Sequence, residues 1–257
     1  VGDKRILVLA GLDPTGGAGL LADVSILREE GIHSLGVPTA LTIQSGEKVQ
    51  KVERVSARYF ERALSSATTS LPPDGIKIGM IFSAPIGRAT HKFLEDRRNI
   101  PAVLDPVLFA SGGEPLILDE TMAVLKMIIP LCNLVTPNIG ELDVLAELFN
   151  VKGTGIEKRG LELSGKIDVP LLVKGGHRKG EKGVDLLFSQ EKISRFHPEK
   201  VVGKDFHGTG CALSSLIAAM LVKGHSLKSA ISFAKKSIEM RMAKGWKSPG
   251  GRWFLSS

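Results

Sequence analysis

Between His207 and Cys211 the chain reads His-Gly-Thr-Gly-Cys and runs directly into an apolar segment, with Leu213, Leu216, Ile217, Met220 and Leu221 at helical spacing. A helix starting there aims its free first-turn N–H groups, and the positive end of its dipole, at whatever lies before it. Such a terminus suits a phosphate or the charge on a phosphoryl group in transfer. Gly208 and Gly210 flank Thr209 and let the backbone approach that charge closely. At the same terminus the thiolate of Cys211 is favoured, which makes it a candidate base or proton acceptor. The alternative is a buried structural cysteine behind a glycine-rich turn.

Other polar residues come after apolar runs in the same way. "VLDPV" puts Asp105 at a strand end, and "TPNIGEL" puts Asn138 and Glu141 just past another. Hard oxygen ligands so placed suit Mg²⁺ near substrate phosphates; an N-cap followed by a first-turn acid would look the same. "LLVKGGH" sends Lys174 out of an apolar strand, either to neutralise phosphate as a point charge or to snorkel from an edge. Asp23 falls between Leu20 and Leu27 at the margin of an apolar helix face, where an ionised carboxylate needs a partner. A ligand amine or protonated ring nitrogen would serve, and so would an internal N–H or a nearby lysine. The stretch "GLDPTGGAGLLAD" lacks the Lys-Ser/Thr pair of a P-loop and the G-x-G-x-x-G spacing, so it reads as a tight turn around a small ligand or as a purely structural turn.

Positioning these groups requires strands and helices in alternation, and the pattern supplies them. Strands are expected in "RILVLAG", "LGVPTALTI", "GIKIGM", "PAVLD", "CNLVT" and "PLLVKG", with a hairpin through "GVDLLFS" and "KISRFHP". Helices are expected over "TGGAGLLADVSILREEG", with Gly31 as its stop, over 58–69, 85–97, 121–129, 139–149 and 156–166, and as two terminal helices. This predicts an α/β fold with a mostly parallel sheet covered on both faces. Ligands of such sheets bind beyond the carboxyl ends of the strands, so one rim would collect every polar cluster above. The terminal helices, with Leu227, Ile231 and Ala234 on one face, are expected to border a nucleotide pocket, and "GWKSPGGRWFLSS" reads as a docked tail without an assigned role.

The totals bound the function classes. A chain of 257 residues, 43% hydrophobic, with 29 glycines and 13 prolines spread along its length, fits a single domain over 1–257. The net charge of +7 is scattered, and aromatic residues make up only 5%, which speaks against specific nucleic-acid binding. Two cysteines form neither a disulfide framework nor a four-ligand zinc site and point to a reducing compartment. The apolar run 6–12 is too short for a signal-peptide core, and no run approaches a membrane span, so a cytoplasmic protein is expected.

Taken in order from residue 11 to 211, "GLDPTGGAGLLAD", "ALTIQSG", "KIGM", "LDPV", "TPNIGE", "LLVKGGH" and "HGTGC" resemble the hydroxymethylpyrimidine and hydroxymethylpyrimidine phosphate kinases of thiamin biosynthesis, a branch of the ribokinase-like superfamily. The resemblance implies a three-layer α/β/α sandwich and a homodimer. It also implies transfer of the γ-phosphoryl of ATP, with Mg²⁺, to the 5-hydroxymethyl of a pyrimidine and then to the monophosphate. Carried over by motif, Gly11, Asp23, Gln44 and Met80 would surround the pyrimidine, and Cys211 would sit beside its hydroxyl. Gly208, Thr209 and Gly210 would form the anion hole, Lys174 and Asn138 would face ATP phosphates, and Asp105 and Glu141 would organise the metal. The sequence departs from the pattern at Leu21, at Phe206, and in "DPVLFASGG", which carries no lysine before its Ser-Gly. Pyridoxal kinases share the fold and some share the cysteine; a ring-binding sensor without turnover is the reading from another class.

Overall fold

Strand β1 (Arg5–Leu12) shows how the layers arise: Leu7 and Leu9 point to one side, Ile6, Val8 and Ala10 to the other, and all five are buried. A strand apolar on both faces belongs in the middle of a sheet with helices above and below. The computed structural model describes residues 3–45, 48–110, 112–176, 181–201 and 203–256; Gly46, Ser111 and His177, which fall in the motifs above, lie outside them. After β1 the chain runs α1 (Gly19–Glu29), β2 (His33–Gln44), β3 (Val49–Arg54), α2 (Ala57–Ser70), β4 (Gly75–Ile78) and α3 (Ala84–Glu95). It continues with β5 (Ala102–Leu104), α4 (Asp119–Ile128), β6 (Leu134–Val135), α5 (Ile139–Leu148), α6 (Ile156–Ile167), β7 (Leu171–Val173), β8 (Asp185–Ser189) and β9 (Lys192–Phe196). It closes with β10 (Phe206–His207), α7 (Thr209–Val222), α8 (Leu227–Lys244), β11 (Trp246–Lys247) and β12 (Trp253–Phe254).

The main sheet has the order β3-β2-β1-β4-β5-β6-β7-β8-β9. Its centre, from β2 to β7, is parallel, while β3 at one edge and β8 and β9 at the other are antiparallel. Helices α2 to α6 cover one face, where Phe60, Ile86, Leu94, Leu142 and Leu163 meet Leu7, Ile76 and Leu104. Helices α1, α7 and α8 cover the other, where Leu27, Leu216, Ile217 and Ile231 meet Ile6, Val8 and Val103. Each such side chain removed from water contributes roughly 1.5–3 kcal/mol. The result is the three-layer α/β/α arrangement with a mostly parallel sheet.

The expected elements are all present, and Gly31, with φ +71°, supplies the left-handed stop after α1. Two features were not expected. Strand β3 pairs with β2 as a hairpin, and the tail docks as a second small sheet, β10-β12-β11, in which Phe206 pairs with Trp253 and His207 with Phe254. The stacked pair Trp246–Phe254 and the edge-on pair His207–Phe254 hold that tail against the start of α7.

Candidate active site

All the central strands release their polar residues at one rim. Asp105 comes directly after β5, Thr136 after β6 and Lys174 after β7, so parallel pairing brings residues 69 apart in sequence into contact. The Lys174 Nζ lies 2.6 Å from Asp105 Oδ1 and 3.8 Å from Glu141 Oε2. Thr136 Oγ1 donates to the same Asp105 oxygen at 3.2 Å. Both carboxylates are almost fully buried. Burial raises the Asp105 pKa, but Lys174 and Lys77 more than offset it and hold this carboxyl below its usual value. Burial raises that of Glu141, and Asp105 adds to the rise beyond what Lys174 recovers. For Lys174, burial acts to lower the pKa, and the two carboxylates outweigh it.

Asn138 and Glu141 form a reciprocal capping box at the start of α5: Glu141 N–H donates to Asn138 Oδ1 at 2.9 Å, and Asn138 N–H donates to Glu141 Oε2 at 2.7 Å. The cap reading is thus correct, and it coexists with the contact to Lys174 because the capping Oε2 has lone pairs to share with the ammonium, while Oε1 accepts from Leu108 N–H at 3.4 Å.

Helix α7 starts at Gly208 with no side-chain cap, leaving its first-turn N–H groups to the cavity. Gly208 has φ +80°, and a Cβ there would stand 1.9 Å from Gly17 O. Two glycine-rich turns, β1–α1 and β10–α7, therefore touch backbone to backbone. Asp13 binds them together: it accepts from Thr15 N and Thr15 Oγ1 at 2.8 Å each, from Ala18 N at 3.1 Å, and faces His207 Nε2 at 2.9 Å. Burial raises the Asp13 pKa, and the hydrogen bonds from His207 and Thr15 more than reverse it.

The rim encloses a cavity of about 530 Å³ lined by Gln44, Asp105, Asn138, Glu141, Lys174 and Gly208 through Cys211, with Val107, Ala110 and Leu116 as an apolar wall. A second cavity, of about 240 Å³, opens beside it among Lys182, Lys200, Lys204, Leu213 and the α8 residues Lys235, Ile238 and Met242. Lys174, Asp205, Phe206, Thr209 and Gly210 line both. The expected border of Leu227, Ile231 and Ala234 is corrected: Ile231 and Ala234 are buried in the core against α7, and the next turn of α8 faces the cavity.

Three further expectations change. Asp23 is fully buried rather than marginal, its Oδ2 paired with Lys77 Nζ at 2.5 Å and its Oδ1 accepting from Ser215 Oγ at 2.8 Å. The nearby lysine, not a ligand, is its partner. Gly11 and Met80 are not among the residues lining the large cavity; a Cβ on Gly11 would sit 3.1 Å from the Met80 sulfur, and Met80 packs behind Leu116, Val107 and Ala110. Cys211 was expected to favour its thiolate. Instead burial pushes the thiol up to about 12, with Asp23 and Asp105 adding to the rise against the opposing pull of the Lys77 ammonium. Cys211 therefore rests as a thiol. Iodoacetamide labelling of Cys211, read by peptide mass spectrometry, is expected to be slow at pH 8 and to keep accelerating past pH 10; a plateau near pH 8.5 would contradict this.

Sequence reasoning assigned no role to Lys77, Asp13, His207 or Arg252. Lys77 reads as an ordinary strand lysine in "KIGM"; its place between two isoleucines, in a strand buried at every position, was the signal available. Among the described residues no three His, Cys, Asp or Glu side chains converge as a metal cluster. No described helix is long and apolar enough to cross a membrane.

Residues 13–253 match the family described as phosphomethylpyrimidine kinase. The chain is 34% identical over 240 residues to a hydroxymethylpyrimidine/phosphomethylpyrimidine kinase of Staphylococcus aureus strain Mu50, covering 92% of this chain and 87% of that protein. Among solved structures, it superposes with a TM-score of 0.78 on a phosphomethylpyrimidine kinase from Clostridium difficile 630 at 28% identity, covering 93% of this chain and 99% of that one. It superposes with a TM-score of 0.83 on a Staphylococcus aureus pyridoxal kinase in complex with ADP, at 25% identity over 100% and 94% of the two chains.

Proposed function

The chain belongs to the phosphomethylpyrimidine kinase family, and on that premise we propose that it is the ATP-dependent kinase that phosphorylates 4-amino-5-hydroxymethyl-2-methylpyrimidine and then its monophosphate, in thiamin biosynthesis. One observation carries this reading. The two cavities meet at the uncapped start of α7, where Lys174, Thr209 and Gly210 line both, so a nucleotide in the smaller would place its terminal phosphate against an acceptor in the larger.

The transferred phosphoryl group spreads its charge over its oxygens in a loose transition state, and the protein's work is to position and to neutralise. The N–H groups of Thr209, Gly210 and Cys211 would receive that charge, with the Lys174 ammonium beside them. Gln44 would take the polar edge of the ring, against the wall of Val107, Ala110 and Leu116 with Met80 behind. Asp23 is left to hold Lys77 under the site, and Gly11 to let Met80 pack closely. Cys211, protonated at rest, would orient the acceptor hydroxyl; a loose transition state asks for removal of the hydroxyl proton only late, so a strong base is not required.

Asp105 and Glu141 fit Mg²⁺. They are two hard carboxylates sharing one ammonium, a net negative pair, and Mg²⁺ commonly takes one or two carboxylates, several waters and substrate phosphates. When bound it would neutralise phosphate charge. A cytoplasmic homodimer of one-domain subunits completes the reading, supported by the resemblance and by continuous cores on both faces of one sheet.

The test is ATP consumption with Mg²⁺, offering the hydroxymethylpyrimidine, its monophosphate and pyridoxine in parallel. Turnover of the first two is expected. Turnover of pyridoxine alone would move the function to vitamin B6 salvage, and binding of the pyrimidine without ATP use would make the protein a sensor.

A further inference from the structure

We propose that Arg252, on the C-terminal hairpin, is the residue that receives the phosphate of an anionic acceptor, a phosphomonoester, and so sets the preference between the neutral and the phosphorylated substrate. The inference rests on the kinase reading above and deepens it.

The large cavity has four basic-type side chains among its described lining residues: the cations Lys48, Lys174 and Arg252, and the imidazole of His207. Three are committed or remote. The Lys174 ammonium is held by Asp105 at 2.6 Å, and the ring nitrogen of His207 is held by Asp13 at 2.9 Å. Lys48, at the tip of the β2–β3 hairpin, is exposed, where water screens its charge. The adjoining wall is formed by Asp105, Val107, Phe109, Ala110 and Gly112, and the sequence from 105 to 113 contains no lysine or arginine.

Arg252 differs on each count. Its side chain is 19% exposed, its Nη1 reaches Asp205 at 3.4 Å, and that aspartate is itself 60% exposed, so the pair is weak and open to exchange. Its Nε is buried without a hydrogen-bond partner among the described residues. A buried guanidinium N–H left unsatisfied is costly, and a planar fork with spare donors is the geometry that takes phosphate oxygens two at a time. The backbone presents it firmly: Ser248 N–H donates to Arg252 O at 2.8 Å, Arg252 N–H donates to Ser248 Oγ at 3.2 Å, and the next residue, Trp253, pairs with Phe206. Position decides which phosphate. Arg252 lines the large cavity and not the smaller one, against Asp205, which lines both, so it stands on the acceptor side of the shared boundary, where the attacking phosphate of a monoester acceptor must lie.

The experiment is steady-state kinetics of the wild type, Arg252→Met and Arg252→Lys with the hydroxymethylpyrimidine and with its monophosphate, alongside calorimetric binding of each compound and the unfolding midpoint of each protein. Loss of one charge-assisted contact corresponds to roughly a ten- to hundredfold weakening. The KM for the monophosphate in Arg252→Met is expected to rise at least tenfold more than the KM for the alcohol, with kcat for the two less affected and with partial rescue by lysine. Equal rises for both compounds, or a parallel drop in the unfolding midpoint that lysine does not restore, would make Arg252 a strap for the tail and overturn the proposal. No change for either would also overturn it. If the wild type phosphorylates neither compound, the kinase reading falls by itself, and the calorimetric comparison still decides: equal monophosphate binding by wild type and Arg252→Met refutes a role for the guanidinium.

Discussion

Lys77→Met is expected to lower the unfolding free energy by about 3–5 kcal/mol, the cost of leaving one charge of a buried pair without its partner. Both side chains of the Lys77–Asp23 pair are 0% exposed. Lys77 extends from β4 to the face covered by α1 and α7, since its neighbours Ile76 and Ile78 point to the other side. Burial lowers the pKa of its amine, the carboxylates of Asp23 and Asp105 raise it, and the net shift is upward, so the ammonium is retained. Removing it leaves the buried Asp23 carboxylate with the Ser215 hydroxyl but no counter-charge at contact distance among the described residues. The double variant Lys77→Met/Asp23→Leu should recover most of the loss, because apolar groups of similar volume replace a buried ion pair at little cost. Chemical denaturation of the three proteins gives the cycle. Near-additive losses would mean that the pair is not the unit of stability. The same cycle carries a functional reading: if the ammonium also sets the field at Cys211, the double variant regains stability while its labelling rate at Cys211 stays below that of the wild type.

Lys77 also shows why part of the site was hidden in the sequence. Strand ends were legible because a parallel strand buried on both faces is a short apolar run, and the residues immediately after it must lie at the rim; Asp105, Asn138, Glu141 and Lys174 were located that way, and the Gly208–Cys211 turn from the apolar helix that follows it. The partner of Asp23 lies 54 residues away, on a strand that only the sheet order brings beneath α1. A helical wheel marks Asp23 as marginal and has no means of recording that pairing. Cys211 differs for another reason: the helix terminus is local and readable, whereas the burial that raises the thiol depends on everything packed around it. Strand β3 has only Val49 and Val52 partly buried along "VQKVER", so its alternation is faint, and β10, β11 and β12 are two residues each, too short for any period. Arg252 reaches the cavity through that unpatterned tail.

Gly210→Ala and Gly208→Ala are expected to separate folding from phosphoryl transfer. Gly210 lies inside the first turn of α7 with ordinary helical geometry, and alanine there is worth up to about 1 kcal/mol in helix propensity. Its Cβ would meet Lys174 Nζ at 3.0 Å and Asp105 Oδ2 at 3.7 Å. The end of a flexible side chain can move aside, so the fold should be unharmed or slightly stabilised. The displaced ammonium is the group proposed to neutralise the phosphoryl charge; its shift of a few tenths of an ångström is smaller than the ~1 Å misplacement that costs about 10²-fold, so a fall in kcat of roughly tenfold is expected. Gly208→Ala meets backbone instead: a Cβ 1.9 Å from Gly17 O, on a residue at φ +80°. Relief requires the β1–α1 turn and the start of α7 to part, breaking the packing that Asp13 and His207 secure. Gly208→Ala should therefore lose several kcal/mol of stability as well as turnover, by summing left-handed strain of about 1–3 kcal/mol with the lost contacts. Thermal unfolding and kcat measured on both variants read the difference. A Gly210→Ala enzyme with unchanged kcat would show that the place of Lys174 against Gly210, where an added Cβ would stand 3.0 Å from Nζ, is packing alone, and the transfer site would then have to be sought elsewhere along the shared wall of the two cavities.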